Sequence, residues 1–232
     1  MIDPITAAKL VKSAYDPAFV AGGVVPDLAP LGCTNVLSVW GADAALAYPY
    51  GFLATMLDGS QVLALRGTDS GIEWVEDAQI RMVTNPWGPG LVHSGFLAIC
   101  RTLGIGEYRQ PLLPSVTSLA SLAVVGHSLG AAVSRLLSMQ LGHVGSVQTW
   151  GEPRSCNGDA AGYALSCTSA NRRARNPRDL VPMVPMFDPM RPIDGYRHAG
   201  EPLLLPAFGT NPVEAHAMDT YIQLETSVHA SI

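Results

Sequence analysis

The stretch over residues 122–132 constrains the fold more than any other part of the chain. Its first four residues are apolar and predict a strand that is covered on both faces. The sequence from Leu129 onward has the small and apolar residues of a helix, and between strand and helix Gly126, Ser128 and Gly130 form the pattern G-x-S-x-G. The two glycines indicate a turn in which a Cβ atom would clash. A buried strand, a tight turn and a helix in this order predict the α/β class.

This turn places a serine hydroxyl at the carboxyl end of a strand and beside the N-terminus of a helix, where the helix favours negative charge. A glycine-rich turn can alternatively bind phosphate, but neither G-x-G-x-x-G nor G-x-x-x-x-G-K-[ST] occurs in the chain. Strand, turn and helix together are typical of a nucleophile elbow. Ser128 is therefore the predicted nucleophile.

The composition of the chain favours one folded α/β domain over residues 1–232. Hydrophobic residues make up 48% of the sequence and charged residues 14%, which excludes a disordered chain. The net charge of −5 is mild and there is no basic stripe, which argues against a nucleic-acid partner. No segment has the ~18 uninterrupted apolar residues of a membrane span, so no transmembrane segment is predicted.

The beginning of the chain and the cysteines bear on the compartment. The first residues lack the apolar run of a signal peptide, which favours a cytoplasmic location or export by a non-classical route. They predict a short amphipathic helix, with Ile5, Leu10, Val11 and Tyr15 on its inner face. The cysteines form no C-x-x-C pair, so no zinc site is predicted, and free buried thiols and disulfides both remain open. The cysteines are Cys33, Cys100, Cys156 and Cys167, of which the last two are nearest in sequence.

A second site feature follows an earlier strand. Residues 46–57 and 61–65 predict two strands joined by an Asp-Gly turn, which implies antiparallel pairing. The chain then runs into RGTDS at residues 66–70. A serine hydrolase requires donors for the oxygen that becomes negative during attack, normally the N–H after the nucleophile and one from such a loop. Leu129 and Thr68 fit these two roles, and Gly67 allows close approach. A simple polar turn is the alternative for the loop.

The acid candidate comes later in the chain. Residues 172–178 predict a basic strand and its end, and Asp179 stands just after it, where a triad acid should follow a strand. The alternative is a solvated basic edge in which Asp179 pairs with an arginine. Residues 213–228 predict one terminal helix, with His216 near its start.

A series of motifs in this order resembles the class 3 (fungal-type) triacylglycerol lipase family over roughly residues 45–225. The resemblance implies an α/β-hydrolase fold with a mostly parallel central sheet flanked by helices, a short lid helix and a Ser-Asp-His triad. The motifs are RGTDS, VHSGFL, VVGHSLGAAVS, TWGEPR, NPRDLVP, YRHAGEP and AHAMDTY.

The resemblance also implies roles for single residues. His216 matches the family's catalytic histidine, which makes it the predicted base, and His198 is the alternative. Asp77 stands where the family often has an aspartate that orients the oxyanion residue, although a helix-surface carboxylate is equally compatible. The lid falls at about residues 70–90, with Trp74 on its apolar face. Thr68 and Leu129 match the oxyanion pair.

The predicted activity is hydrolysis of carboxylic esters of lipid-like substrates through an acyl-enzyme on Ser128, with Asp179 and His216 completing the triad. Neither a metal nor an organic cofactor is needed for this chemistry. The expected partner is an ester or lipid substrate, encountered at a lipid–water interface. A carboxylesterase or phospholipase on the same triad and a non-catalytic lipid-binding relative are the alternatives. The last is disfavoured because nucleophile, acid, base and oxyanion residues are all present.

Overall fold

A computed structural model of the chain describes residues 1–43, 46–68, 81–186, 188–190 and 195–230. The strands are β1 Cys33–Asp43, β2 Leu46–Met56, β3 Gln61–Leu65, β4 Met82–Thr84, β5 Leu91–His93, β6 Gly104–Ile105, β7 Leu122–His127, β8 Ser146–Trp150, β9 Asn171–Arg175 and β10 Leu203–Leu204. The helices are α1 Pro4–Ser13, α2 Pro17–Gly22, α3 Ser94–Thr102, α4 Leu129–Leu141, α5 Gly158–Ser166, α6 Pro212–His216 and α7 Met218–His229.

The central sheet has eight strands in the order β10-β9-β8-β7-β3-β2-β1-β6, and β4 and β5 form a separate pair. The strands from β10 to β3 run parallel, whereas β2, β1 and β6 extend the sheet antiparallel. Because the carboxyl ends of the parallel strands meet at one edge, the loops after β3, β7, β8 and β9 converge there. The predicted α/β-hydrolase architecture, with a mostly parallel sheet flanked by helices, is confirmed.

Each face of the sheet carries its own hydrophobic core. All five residues of β3 are buried, and since successive side chains point to opposite faces, Leu63 and Leu65 join one core while Val62 and Ala64 join the other. The first core lies under α3, α4 and α5, and the second under α1, α2 and α7. This two-sided burial explains why the strand is apolar throughout rather than alternating.

Several sequence predictions are settled by these elements. The pairing of β2 with β3 is antiparallel, as the Asp-Gly turn predicts. The first helix is present as α1, and Leu10 and Val11 on its inner face are fully buried. All four cysteines are buried free thiols rather than disulfides. Within the described ranges, none of the helices is both long and apolar enough to cross a lipid bilayer.

The single terminal helix predicted over residues 213–228 is wrong, because the chain breaks at Ala217 into α6 and α7. Ala217 has an extended ψ of 140°, so His216 ends a short helix instead of lying near the start of a long one. The break directs the His216 backbone oxygen to Nε2 of His127, 2.7 Å away. Periodicity alone does not reveal the break, because the two helices follow each other with only Ala217 between them.

Candidate active site

The turn between β7 and α4 holds Ser128 in a backbone conformation that residues with a side chain rarely adopt, with φ 57° and ψ −129°. A Cβ on Gly126 would lie 2.5 Å from the backbone oxygen of Gly130 and from Oγ of Ser134. A Cβ on Gly130 would lie 2.3 Å from the backbone oxygen of Arg66. The turn therefore requires both glycines, and the sheet and helix that flank it impose the strain on the serine.

Three side chains from separate elements form one hydrogen-bonded row. Oγ of Ser128 lies 2.8 Å from Nε2 of His216, and Nδ1 of His216 lies 2.8 Å from Oδ2 of Asp179. Ser128 comes from the turn after β7, Asp179 from the loop after β9, and His216 from the end of α6. The structure thus brings together the predicted nucleophile, acid and base, all of which are buried.

The surroundings of Asp179 fix its orientation. Its Oδ1 accepts a bond from the backbone N–H of Val181 at 2.9 Å, and its Oδ2 accepts one from the hydroxyl of Tyr221 at 2.7 Å. Burial, and next the adjacent Asp179 carboxylate, raise the pKa of Tyr221, so its hydroxyl stays protonated and donates. With the carboxylate so placed, Nδ1 of His216 carries the proton and Nε2 is left to accept one from Ser128.

Gly151, in the TWGEPR motif, makes room for this row. It has a positive φ of 60°, and a Cβ there would lie 2.9 Å from both Oδ2 of Asp179 and Cε1 of His216. Neither Gly151 nor Tyr221 is among the predicted site residues. Both stand inside quoted motifs, but which motif residues reach the triad follows only from the packing of β8, β9 and α7 around it.

The predicted oxyanion residues flank the serine. Leu129 is the first residue of α4, so its backbone N–H has no acceptor within the helix. Gly67 packs so closely that a Cβ on it would lie 2.8 Å from Cβ of Ser128. Oγ of Thr68 is buried and has no hydrogen-bond partner among the described residues. A backbone N–H at the start of a helix and a hydroxyl without a partner among the described residues are groups of the kind that can stabilise an oxyanion.

A cavity of about 220 Å³ opens over the serine. Ser128, His216 and Thr68 line it, together with Tyr15 from the end of the first helix and Val213 from α6. The predicted nucleophile, the predicted base and the predicted oxyanion residue are therefore all accessible from one space.

The other predicted site residues have different outcomes. His198, the alternative base, donates from Nε2 to the backbone oxygen of Pro182 at 2.8 Å instead of meeting Ser128. Asp77 and Trp74 lie outside the described residues, as does the predicted lid up to residue 80. Residues 81–90 contain strand β4 and a turn instead of a helix. Across the described ranges, no group of three or more His, Cys, Asp or Glu side chains is arranged to hold a metal ion.

Comparison with known proteins identifies relatives of the chain. The family model of lipase (class 3) matches residues 62–188, which is more than half of the chain. A lipase from Rhizomucor miehei is 32% identical over 154 residues, covering 60% of this chain and 40% of the relative. A phospholipase A1-II 3 from Oryza sativa subsp. indica is 30% identical over 122 residues, covering 39% of this chain and 29% of the relative.

Among solved structures, the Rhizomucor miehei lipase–propeptide complex superposes with a TM-score of 0.66 at 25% identity, covering 88% of this chain and 68% of that one. The sequence matches to the two curated relatives span well under two thirds of their length. The matched range includes all of β3 except its first residue, the serine turn, β8, β9 and Asp179, while His216 lies beyond it. Both the sequence and the fold place this chain in the class 3 lipase family.

Proposed function

We propose that the chain is a serine hydrolase that cleaves carboxylic esters of lipid-like substrates through an acyl-enzyme on Ser128. One observation carries this proposal: Ser128, in a strained turn, is hydrogen-bonded to His216 and through it to buried Asp179, and the serine lines a cavity. Membership in the class 3 lipase family and the names of the fungal and rice relatives support the same substrate class.

The proposed reaction has two halves. His216 Nε2 takes the hydroxyl proton as Ser128 Oγ attacks the ester carbonyl carbon, and the carbonyl π electrons move onto oxygen. The N–H of Leu129 and the hydroxyl of Thr68 stabilise this oxyanion. When the carbonyl re-forms, the C–O bond to the alcohol breaks and the alcohol leaves with the proton from His216. Water then repeats the sequence on the acyl-enzyme, which releases the carboxylic acid and returns the proton to Ser128.

We also propose that the surface around this site contacts a lipid–water interface. Apolar side chains are exposed on the two segments that carry the acid and the base. Met186 follows Asp179 and is 63% exposed, and Val213 precedes His216 and is 64% exposed. The other exposed apolar residues on these segments are Leu180, Met183, Met190 and Phe208. Val213 also lines the cavity over Ser128, and exposed apolar groups are typical of surfaces that contact lipid or protein.

Nitrophenyl esters of increasing acyl length test the activity, with wild type beside Ser128→Ala. We expect the variant to lose about 10⁴-fold or more in kcat, because alanine lacks the oxygen on which the acyl-enzyme forms. Ser138→Ala is the matched control, since Ser138 is a buried serine of α4 whose Oγ donates to the backbone oxygen of Arg135.

The assay separates the alternatives. Turnover of long acyl chains supports a lipase, whereas turnover of short esters alone supports a carboxylesterase. The rice relative makes phospholipids the second candidate substrate, so a phosphatidylcholine assay is run in parallel. If wild type is inert on all of these and a fluorophosphonate does not label Ser128, the chain is a non-catalytic lipid-binding relative. Full activity in Ser128→Ala rules out the assigned nucleophile.

A further inference from the structure

Tyr15 lies far from the triad in sequence but directly beside it in space. Its hydroxyl is 2.6 Å from the backbone nitrogen of Gly67 and 2.7 Å from Nδ1 of His127. The tyrosine follows α1, which packs on α7 and on the face of the sheet over β3 and β7. Its hydroxyl therefore joins the loop after β3 to the turn after β7.

His127 continues this connection to the catalytic base. Its Nε2 lies 2.7 Å from the backbone oxygen of His216, and the two rings are 4.6 Å apart between centroids. A row of hydrogen bonds thus runs from Gly67 through Tyr15 and His127 to the backbone of His216. It meets the site at both the oxyanion loop and the base, without using any triad side chain.

The direction of each bond follows from the groups involved. A backbone oxygen only accepts, so Nε2 of His127 carries a proton. Burial, and next the neighbouring His216, hold the pKa of His127 well below its usual value, so the ring is neutral and Nδ1 accepts. The Tyr15 hydroxyl consequently donates to Nδ1 and accepts from the N–H of Gly67. Every donor in the row has an acceptor.

We propose that Tyr15 is a positioning residue, which holds the oxyanion loop against the nucleophile turn in the orientation that the reaction requires. The inference rests on the proposed function. Gly67 immediately precedes Thr68, and its close packing on Ser128 leaves the loop little room to shift without moving the Thr68 donor. Because oxyanion stabilisation depends on donor positions within a few tenths of an ångström, anchoring Gly67 supports the transition state more than substrate binding.

Tyr15→Phe tests this proposal, since it removes one hydroxyl and keeps the ring that packs edge-on against His127. We expect kcat on a nitrophenyl ester to fall about 10- to 100-fold, because Gly67 N–H and His127 Nδ1 lose their partner. We expect KM to stay within about twofold, since the bond acts in the transition state. Phosphonylation of Ser128 should slow by the same factor as kcat, because it builds charge on an equivalent oxygen.

Tyr196→Phe is the matched control. Tyr196 is a fully buried tyrosine whose hydroxyl has no hydrogen-bond partner among the described residues, and it lies outside the row. Its variant should keep wild-type kcat. All variants are assayed well below their melting temperatures, with the folded fraction measured by circular dichroism, so that loss of folded protein is not counted as loss of kcat.

A double-mutant cycle with Thr68→Ala separates positioning from a general structural role. If Tyr15 acts through the oxyanion loop, its removal should cost little once the Thr68 hydroxyl is gone, and the double variant should resemble the slower single variant. Multiplicative losses, or a kcat for Tyr15→Phe within twofold of wild type, overturn the proposal. Failure of the proposed function is a different result, in which wild type itself is inert or Ser128→Ala remains active.

Discussion

Two clusters of polar side chains lie close together in the interior, and they differ in what their burial does for the protein. The triad cluster consists of Ser128, Asp179, His216 and Tyr221. The ion-pair cluster consists of Arg135, Glu152, Thr149 and Asn171. The clusters adjoin in sequence, because Gly151 contacts the triad cluster and the next residue, Glu152, belongs to the ion-pair cluster.

The ion-pair cluster is closed on itself. Arg135 donates from Nε and Nη2 to the two oxygens of Glu152, at 3.2 and 3.0 Å, and both side chains are fully buried. Nη1 of Arg135 reaches Asn171, and Thr149 donates to Glu152. Burial by itself would raise the pKa of Glu152, but the charge and hydrogen bonds of Arg135 outweigh it and lower the pKa. The carboxylate therefore stays ionised and paired.

The triad cluster is just as buried but remains open on one side. Ser128 is held at a positive φ and lines the cavity, so its hydroxyl has a bond to His216 on one side and space for a substrate on the other. Buried polar groups and charge therefore do not by themselves mark a site. Backbone strain and access to a cavity separate the cluster that reacts from the one that stabilises the fold.

The largest expected loss of activity comes from replacing the acid of the triad cluster, Asp179. Asp179→Asn should lower kcat about 10⁴-fold, because an amide no longer favours the His216 tautomer that leaves Nε2 free to accept the Ser128 proton. Ester hydrolysis measures the loss, and thermal melting should show only a modest change. Asp188→Asn is the control, since Asp188 is a buried carboxylate that accepts backbone bonds from Met82 and Met190. A wild-type kcat in Asp179→Asn would mean that another group supports the base.

Breaking the ion-pair cluster should lower stability and leave activity unchanged, the opposite of breaking the triad cluster. Glu152→Leu should reduce the free energy of unfolding by about 3–5 kcal/mol, because it leaves the guanidinium of Arg135 buried without its partner. The kcat per folded molecule should stay close to wild type. Urea denaturation measures the stability and ester hydrolysis the activity.

The double variant Arg135→Leu/Glu152→Leu sharpens this test. Removing both charges should cost less than removing Glu152 alone, because no uncompensated charge remains in the interior. A double variant that is less stable than either single one would contradict this account. A folded Glu152→Leu without activity would place the glutamate in the active site.

The sequence predicts the triad cluster better than the ion-pair cluster for a physical reason. The Ser128 turn is specified by neighbouring residues, because a strand, two glycines and a helix must follow one another within a few positions. The sequence pattern is therefore recognisable without knowledge of any long-range contact. Strand β3 is also specified by neighbouring residues, because the preceding Asp-Gly turn and the apolar run itself define its limits. Asp179 is found as the carboxylate that follows the predicted basic strand, whereas His216 is assigned only because its motif occurs in the family's order.

Other contacts depend on packing between distant parts of the chain. The bond between Tyr15 and His127 joins residues 112 positions apart, and nothing near Tyr15 indicates it. The sequence does indicate that Arg135 has a partner, since an arginine in a helix that is largely apolar and buried requires an acceptor nearby. Which acceptor it finds follows only from how α4 lies on β8.

The smallest expected effect concerns His198, which borders the ion-pair cluster. Burial lowers the pKa of His198 to about 4, with the nearby Glu152 opposing the shift and Arg173 and Arg154 adding to it. The unfolded chain takes up this proton near the usual value of 6.5. Because the unfolded state binds more protons between these values, the free energy of unfolding should fall as the pH drops from about 6.5 to about 4, by on the order of 2 kcal/mol for this residue.

His198→Gln should remove this part of the acid destabilisation, because glutamine does not titrate and its amide can still donate to the backbone oxygen of Pro182. Urea denaturation at a series of pH values measures the slope. His93, whose pKa burial also lowers to about 4, should keep its own contribution, so the slope should decrease without vanishing. At neutral pH the variant should keep wild-type kcat. If the dependence of the unfolding free energy on pH is unchanged, the buried neutral state of His198 is contradicted. If the variant folds but has no activity, His198 and not His216 is the base.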